Sequence, residues 1–377
     1  MTFYFDNAAT TKIKPEVLNE MMPYLTEEYG NPSSLYSIGR SAKRAVERAR
    51  TQVANLINAN RNEIYFTGCG TESDNTALKG IASRYKEKGN HIITCKIEHN
   101  AILESCKILE KKGFKITYLN VDKNGIINIQ ELENAITKNT ILISIMFANN
   151  EIGTIEPIKK IAKIARNNNI IFHTDAVQAV GNVPIDVEEL GIDMLSISGH
   201  KICAPKGIGA LYVRNGIEFE KFMNGGHQEK DKRAGTENLT GIVGLGKACE
   251  IARANLRYHM EYVKKLRDYY HMLVLNNMDN VKINGSIENR LPGNSNISFI
   301  GVDSTALLLE LDKKGICCSA GSACNSGESV PSHVLTAIGL DNENAKSALR
   351  VTFGDNNTKE EVEYLVENLK KCAKELR

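Results

Sequence analysis

Short apolar runs alternate with amphipathic stretches through the first two-thirds of the chain. NEIYFTG (62–68), HIITCKI (91–97), FKITYLNV (114–121), IIFHTDA (170–176) and DMLSISGHK (193–201) have the length and β-branched content of strands. TILISIMFAN (140–149) is almost unbroken in its apolar character, as expected of a strand buried on both faces of a parallel sheet. Between them, ESDNTALKGIASRYKEKG (72–89), NAILESCKILEKKG (100–113) and IKKIAKIARNNN (158–169) repeat apolar residues at helical spacing. This βαβ alternation predicts a doubly wound α/β domain with a mainly parallel sheet. From about residue 241 the pattern changes to one long helix or a broken pair, then to a terminal amphipathic helix over 357–377. The division expected is a large domain over 14–254 and a smaller α+β domain over 255–377, joined by the N-terminal segment 1–13.

In a doubly wound sheet, ligands gather at the carboxyl ends of the strands. After EIYFTG comes CGTES, a small-residue turn that opens into a helix. Gly70 and Thr71 there could cradle an anion, or form a plain βα turn. His99 follows the next strand, as a stacking or proton-transfer group or as a solvated loop residue. Asn150 and Glu151 follow the apolar run 140–149, where polar groups need a partner from a ligand or a turn. IIFHTDAVQ drives an apolar strand into Asp175, with Gln178 close behind. A carboxylate at such depth requires a cation or strong donors, supplied by a ligand or by a salt bridge. DMLSISGHK ends at Ser198, His200 and Lys201. A lysine there can attack a carbonyl. Lys206 is the competitor, but it precedes GIGALYV and so is expected at the amino end of that strand, on the wrong side of the sheet. These parts suit pyridoxal phosphate, which needs a Schiff-base lysine, a carboxylate for its ring nitrogen and an anion cradle.

Composition narrows the field. The 377 residues are 42% hydrophobic and 24% charged, with a formal net charge of +2, so no strong field directs the chain to nucleic acid or an anionic membrane. No apolar run approaches a membrane span. Nine scattered cysteines and no signal-peptide pattern at MTFYFDNAATTKIKP point to free thiols in a reducing cytoplasm. CCSAGSACNSGES (317–329) sets three of the nine among serines and glycines. Spacing does not fit a zinc site. Cys317 and Cys318, beside the strand-like stretch that ends in DKKGI, read as structural. Cys324, between Gly321 and Gly327, could serve a disulfide, a metal site or a reactive thiol, and its surroundings alone do not choose among them.

The series YFDNAATT, YGNPSSLYSIGR, TGCGTESDN, EHNAI, NNEIGTIEPI, HTDAVQAVG, SGHKICAPKGIGALYV, GGHQEKDKRAGTEN, SAGSACNSG and ALRVTFG resembles cysteine desulfurases of the NifS/IscS type, in the class V aminotransferase group. The resemblance covers essentially the whole chain. It implies the fold type I architecture of pyridoxal 5'-phosphate transferases, a homodimer, L-cysteine as substrate and L-alanine as product. Carried over, Lys201 would form the Schiff base and His99 would stack on the ring and move protons. Asp175 would pair with the ring nitrogen, Gln178 with the ring oxygen, and Asn150 would lie near ring and substrate. Gly70, Thr71, Ser198 and His200 would hold the phosphate, and Thr236 would reach the phosphate of the neighbouring subunit. Arg350, assisted by Asn31, would clamp the substrate carboxylate. Cys324 would take the sulfur as a persulfide for an iron–sulfur scaffold protein or a thiolation enzyme. The only metal contact implied is a passing one between Cys324 and an iron–sulfur cluster. A selenocysteine lyase or β-eliminating enzyme on the same fold would need no Cys324, and a sulfur-relay platform would act mainly by protein binding. Tyr36 stands where many relatives carry His, and because the sequence stops soon after its terminal helix, the extension by which some relatives dock a scaffold is not expected.

Overall fold

The computed structural model describes residues 2–320 and 331–377. Among them the strands are β1 (Phe3–Tyr4), β2 (Ile64–Thr67), β3 (His91–Cys95), β4 (Lys115–Leu119), β5 (Thr140–Ser144), β6 (Ile171–Asp175), β7 (Met194–Ser198), β8 (Gly209–Val213), β9 (Val281–Ile283), β10 (Asn294–Phe299), β11 (Ile316–Cys317) and β12 (Ala348–Thr352). Seven form one sheet in the order β2-β8-β7-β6-β5-β3-β4. Its strands run parallel except β8, which is antiparallel to both β2 and β7. Strand β5 is buried throughout but ends at Ser144, so 145–149 belongs to the loop that leaves the sheet.

Neighbouring residues of these strands enter opposite cores. Ile93, Leu195 and Tyr212 join the core shared with the helices Ser37–Leu56 and Ile158–Asn167. Ile92, Met194 and Leu211 join the core under the helices Gly70–Tyr85 and Asn100–Lys111. The period of two thus places apolar side chains on both faces. The helix Ile158–Asn167 answers with Ile158, Ile161, Ala162 and Ala165 buried on one stripe.

A second, antiparallel sheet has the order β12-β10-β9. Its core gathers Phe5, Val263, Tyr270, Phe299, Leu349 and Val362. The helix Leu239–Asn277 is continuous and spans both cores, contributing Leu239 to Cys249 to the first and Val263 to Val274 to the second. The division expected at 254/255 falls inside it. The N-terminal segment also crosses over. Strand β1 pairs with β11, Phe5 is buried in the second core, and Thr11 donates from its backbone and its hydroxyl to His200 O, both at 2.9 Å. The stretch before Cys317 is not all strand: β10 ends at Phe299, a helix covers Ser304–Asp312, and β11 is two residues long.

Candidate active site

The parallel strands all point their carboxyl ends to one edge, and the chain turns there into helices. At the end of β2 the helix Gly70–Tyr85 begins after Cys69. Its first backbone N–H groups have no partner within the helix, which is the general state of a helix N-terminus. A Cβ on Gly70 would come within 2.7 Å of Val177 Cγ2 and 3.2 Å of Ser198 Cβ. Glycine is therefore required for this helix start to approach the ends of β6 and β7. Thr71 is exposed beside it and Ser198 is buried. Glu72 turns back, accepting from Gly68 N at 2.8 Å and pairing with Arg233 at 2.9 Å.

His99 caps the helix Asn100–Lys111, its Nδ1 accepting from Ala101 N at 3.1 Å. That contact makes Nδ1 an acceptor and places a neutral ring's proton on Nε2. Asp175 ends β6, buried, with Oδ1 accepting from Val177 N at 2.9 Å. Donor atoms of Asp74, His99 and Asp175 lie within 4.8 Å of one another. Burial pushes the Asp175 carboxyl up, while the charges of His99 and Lys201 and the Val177 bond pull it back. Asp74 is pushed up further, by burial and by Asp175 beside it. Glu98, buried next to His99, is pushed up to about 8, chiefly by burial. The edge is thus a low-dielectric place that holds anions only where a cation faces them.

Lys201 ends the short helical turn Gly199–Lys201 after β7. Its Nζ donates to Ala8 O and to Ala9 O, the latter at 2.7 Å. Gln178 Nε2 donates to the same Ala8 carbonyl at 3.0 Å. His200 pairs through Nδ1 with Thr10 Oγ1 at 3.1 Å, and burial with the nearby Lys201 and Lys206 charges lowers its ring to about 4. Lys206 requires a correction. Because β8 runs antiparallel, with Gly209 opposite Ser198, its amino end lies at the same edge as the carboxyl ends of the parallel strands. The side of the sheet does not separate the two lysines. Environment does: Lys206 is exposed, whereas Lys201 is half-buried and close enough to Asp175 to act on its charge.

Arg350 arrives from the other sheet. It sits in mid-strand on β12, opposite Asn296, and is 2% exposed. Its Nη2 pairs with Asp6 Oδ1 at 2.8 Å and its Nη1 donates to Asn150 O at 3.2 Å. Nε is buried with no partner among the described residues. Backbone bonds join Arg350 to Ser319, just before the undescribed stretch 321–330. At the far end of that stretch, Ser332 Oγ bonds Glu151 Oε2 at 2.5 Å and His333 Nε2 bonds Glu98 O at 3.0 Å.

The single chain brings together Gly70, Thr71, His99, Asn150, Asp175, Gln178, Ser198, His200, Lys201 and Arg350. Asn31 sits on an exposed turn, with its Oδ1 accepting from Ser33 N, and none of its hydrogen bonds reaches this cluster. Thr236 is exposed on the loop before the helix Leu239–Asn277. Cys324, Gly321 and Gly327 lie outside the described residues. Sequence reasoning gave no role to Asp6 or Asp74, although both stand in motifs it singled out, YFDNAATT and TGCGTESDN. Asp74 is buried and Asp6 half-buried, and a carboxylate inside a run of small and apolar residues is the signal that could have found them. A cavity of about 740 Å³ reaches Lys201 and Gln178 but not His99 or Asp175. It lies beside the N-terminal segment, towards Cys203 and His259, and does not coincide with the ionisable cluster.

The family model Aminotransferase class-V matches residues 3–365. Cysteine desulfurase IscS of Clostridium botulinum is 53% identical over 376 residues, covering 99% of this chain and 95% of that protein. The IscS of Methanosarcina thermophila is 52% identical over 374 residues, covering 99% and 92%. Among solved structures, a NifS-like protein has a TM-score of 0.94 at 38% identity, with all of both chains covered. A structure described as SspA in complex with cysteine has a TM-score of 0.83 at 38% identity, covering 95% of this chain and all of that one.

Proposed function

This chain belongs to the class-V aminotransferase family and is a cysteine desulfurase dependent on pyridoxal 5'-phosphate, and from that premise we propose how its own residues divide the work. The observation that carries the assignment is the convergence of Lys201, Asp175 and His99 on one sheet edge. The residues fit the cofactor. Asp175 is a buried carboxylate in need of a cationic donor, and a pyridinium nitrogen is one. The glycine-dependent close approach at Gly70 leaves a helix N-terminus open to a phosphate, with Thr71, Ser198 and His200 at hand. Bound there, the cofactor supplies an electron sink that opens the sulfur of L-cysteine to attack.

Lys201 is the lysine that binds the cofactor covalently. Asp175 would keep the ring nitrogen protonated, and Gln178 would bond the ring oxygen. His99 would stack on the ring and carry a proton on Nε2, its Nδ1 being engaged by Ala101. Arg350 and Asn150 receive the amino acid, Arg350 at its carboxylate, with Asn31 assisting. Cys324 is the acceptor: its thiol takes the substrate sulfur as a persulfide, the C–S bond breaks, and the carbon gains a proton to leave as L-alanine. Four other cysteines are poorer candidates. Cys95, Cys106 and Cys249 are buried, and burial holds their thiols far from ionisation, Cys106 at about 12. Cys318 is likewise pushed up.

The persulfide then passes to an iron–sulfur scaffold protein or to a thiolation enzyme. The active form is a homodimer in which Thr236 of one subunit completes the phosphate site of the other, which accounts for its position outside the cluster in the single chain. The large domain 14–254 carries the cofactor and the smaller domain 255–377 carries Arg350. The free cysteines fit a cytoplasmic setting. No helix of the described residues is long and apolar enough to cross a membrane.

The test compares alanine and sulfide release from L-cysteine, with pyridoxal phosphate and a reductant, in the native chain and in Cys324→Ala. Loss of both products in the variant supports the persulfide route. Full activity in the variant removes Cys324 as acceptor and leaves a β-elimination or lyase reaction.

A further inference from the structure

Asp6 is the acidic residue that meets Arg350, and it does more than neutralise it. Its Oδ1 takes Nη2 of Arg350 at 2.8 Å, and its Oδ2 accepts from Ser319 Oγ at 2.8 Å. The Asp6 backbone is fixed as well, through a parallel bridge to Thr352 and the bond from Thr352 N to Phe5 O at 2.7 Å. Ser319 in turn exchanges backbone bonds with Arg350, at 3.1 and 2.6 Å. The guanidinium is thus held by Asp6 on one nitrogen and by Asn150 O on another, while Nε remains buried without a partner among the described residues. A planar guanidinium has five N–H donors in fixed directions, so holding two nitrogens sets where the third points. Two residues further on, the carbonyls of Ala8 and Ala9 hold Lys201 Nζ. One run of four residues touches both the lysine and the arginine of the site.

We propose that Asp6 is a positioning residue for the substrate carboxylate, fixing the plane of Arg350 while weakening its attraction for anions. The proposal rests on the reading that Arg350 binds the carboxylate of L-cysteine. Two opposed effects follow from one side chain. The hydrogen bond orients the guanidinium, and the negative charge repels the carboxylate that arrives. A pair kept only for charge balance would have the second effect without the first.

Asp6→Asn separates them. Its amide oxygen can accept from Arg350 and its amide nitrogen can donate to Ser319, so orientation is kept and only the charge is lost. Holoenzyme KM for L-cysteine is expected to fall about fivefold in Asp6→Asn, as is the inhibition constant of L-alanine, the product that retains the carboxylate. In Asp6→Ala both constants are expected to rise about tenfold, because the guanidinium is no longer held. Ser319→Ala loosens Asp6 without removing its charge and is expected to raise both about threefold. Cofactor affinity, read from absorbance on titration, should stay within about twofold in all three. Shifts of the same sign in Asp6→Asn and Asp6→Ala, or no shift in Asp6→Asn, overturn the proposal. If Asp6→Ala does not fold, opposite signs in Asp6→Asn and Ser319→Ala make the same decision. Arg350→Ala identifies failure of the underlying reading: an unchanged L-alanine inhibition constant there means that Arg350 does not bind the carboxylate.

Discussion

The edge of the seven-stranded sheet and the middle of the three-stranded sheet solve the same problem differently. Both place a charged residue in a buried site. At the parallel edge, topology does most of the work. Strand ends and helix starts leave backbone N–H groups open, and His99, Asp175 and Lys201 stand at such natural chain turns. In the antiparallel sheet, Arg350 stands in mid-strand, paired across to Asn296, where a charge has no such support. A side chain from the far end of the chain, Asp6, has to meet it. A site at a strand end comes with the fold, whereas a buried cation in mid-strand depends on long-range partners, here Asp6 and the Asn150 carbonyl.

The comparison breaks most sharply at Lys201. Lys201→Ala should abolish the visible cofactor band, while Arg350→Ala should keep it and raise KM by about a hundredfold. A spectrum and a rate curve on each variant check this, and a band retained in Lys201→Ala with Lys206 modified would reverse the choice of lysine. Asp175→Ala should weaken cofactor binding by about tenfold or more, in absorbance titrations where Arg350→Ala does not.

Stability should respond to pH with opposite signs in the two regions. Glu98, at the parallel edge, has its carboxyl raised from 4.5 to about 8. The folded protein therefore holds that proton more tightly than the unfolded chain. Its contribution is full below 4.5 and is lost as pH rises through about 8, by at most about 5 kcal/mol. Denaturant titrations from pH 5 to 9 should show Glu98→Gln gaining on the native chain as pH rises. His271, which bonds Ser295 Oγ beside the second core, is lowered from 6.5 to about 4. Its neutral form favours the fold, so its contribution is present above 6.5 and is lost as pH falls through about 4. This smaller effect is at most about 3 kcal/mol. His271→Gln should flatten the acid limb of the same titrations, and an acid limb unchanged by it would remove His271 from the account.

Much of this was legible along the chain. The strands from Ile64 to Val213 and the helices that start at Gly70, Asn100 and Ile158 followed from apolar runs and helical spacing, and the strand-end rule placed His99, Asp175 and Lys201 at one edge, but the helices Ser37–Leu56 and Ile129–Ala135 were not read. The argument against Lys206 failed because direction is not written in a strand: GALYV reads alike whether parallel or antiparallel. The stretch before Cys317 was blurred for a related reason. Its apolar residues Leu307 and Leu311 are buried at helical spacing, but the flanking strands are too short to mark the boundaries.

The layered α/β architecture and the placing of His99, Asp175 and Lys201 at the sheet edge can be read along the chain, because both are local. Periodicity selects the element, and the residue after a strand inherits the strand's end. Packing sets the reversal of β8, the approach of Asp74 to Asp175, and the meeting of Asp6 with Arg350 across 344 positions of sequence. Such contacts depend on how separate elements pack, and a buried charge shows its need for a partner without naming which distant residue will meet it.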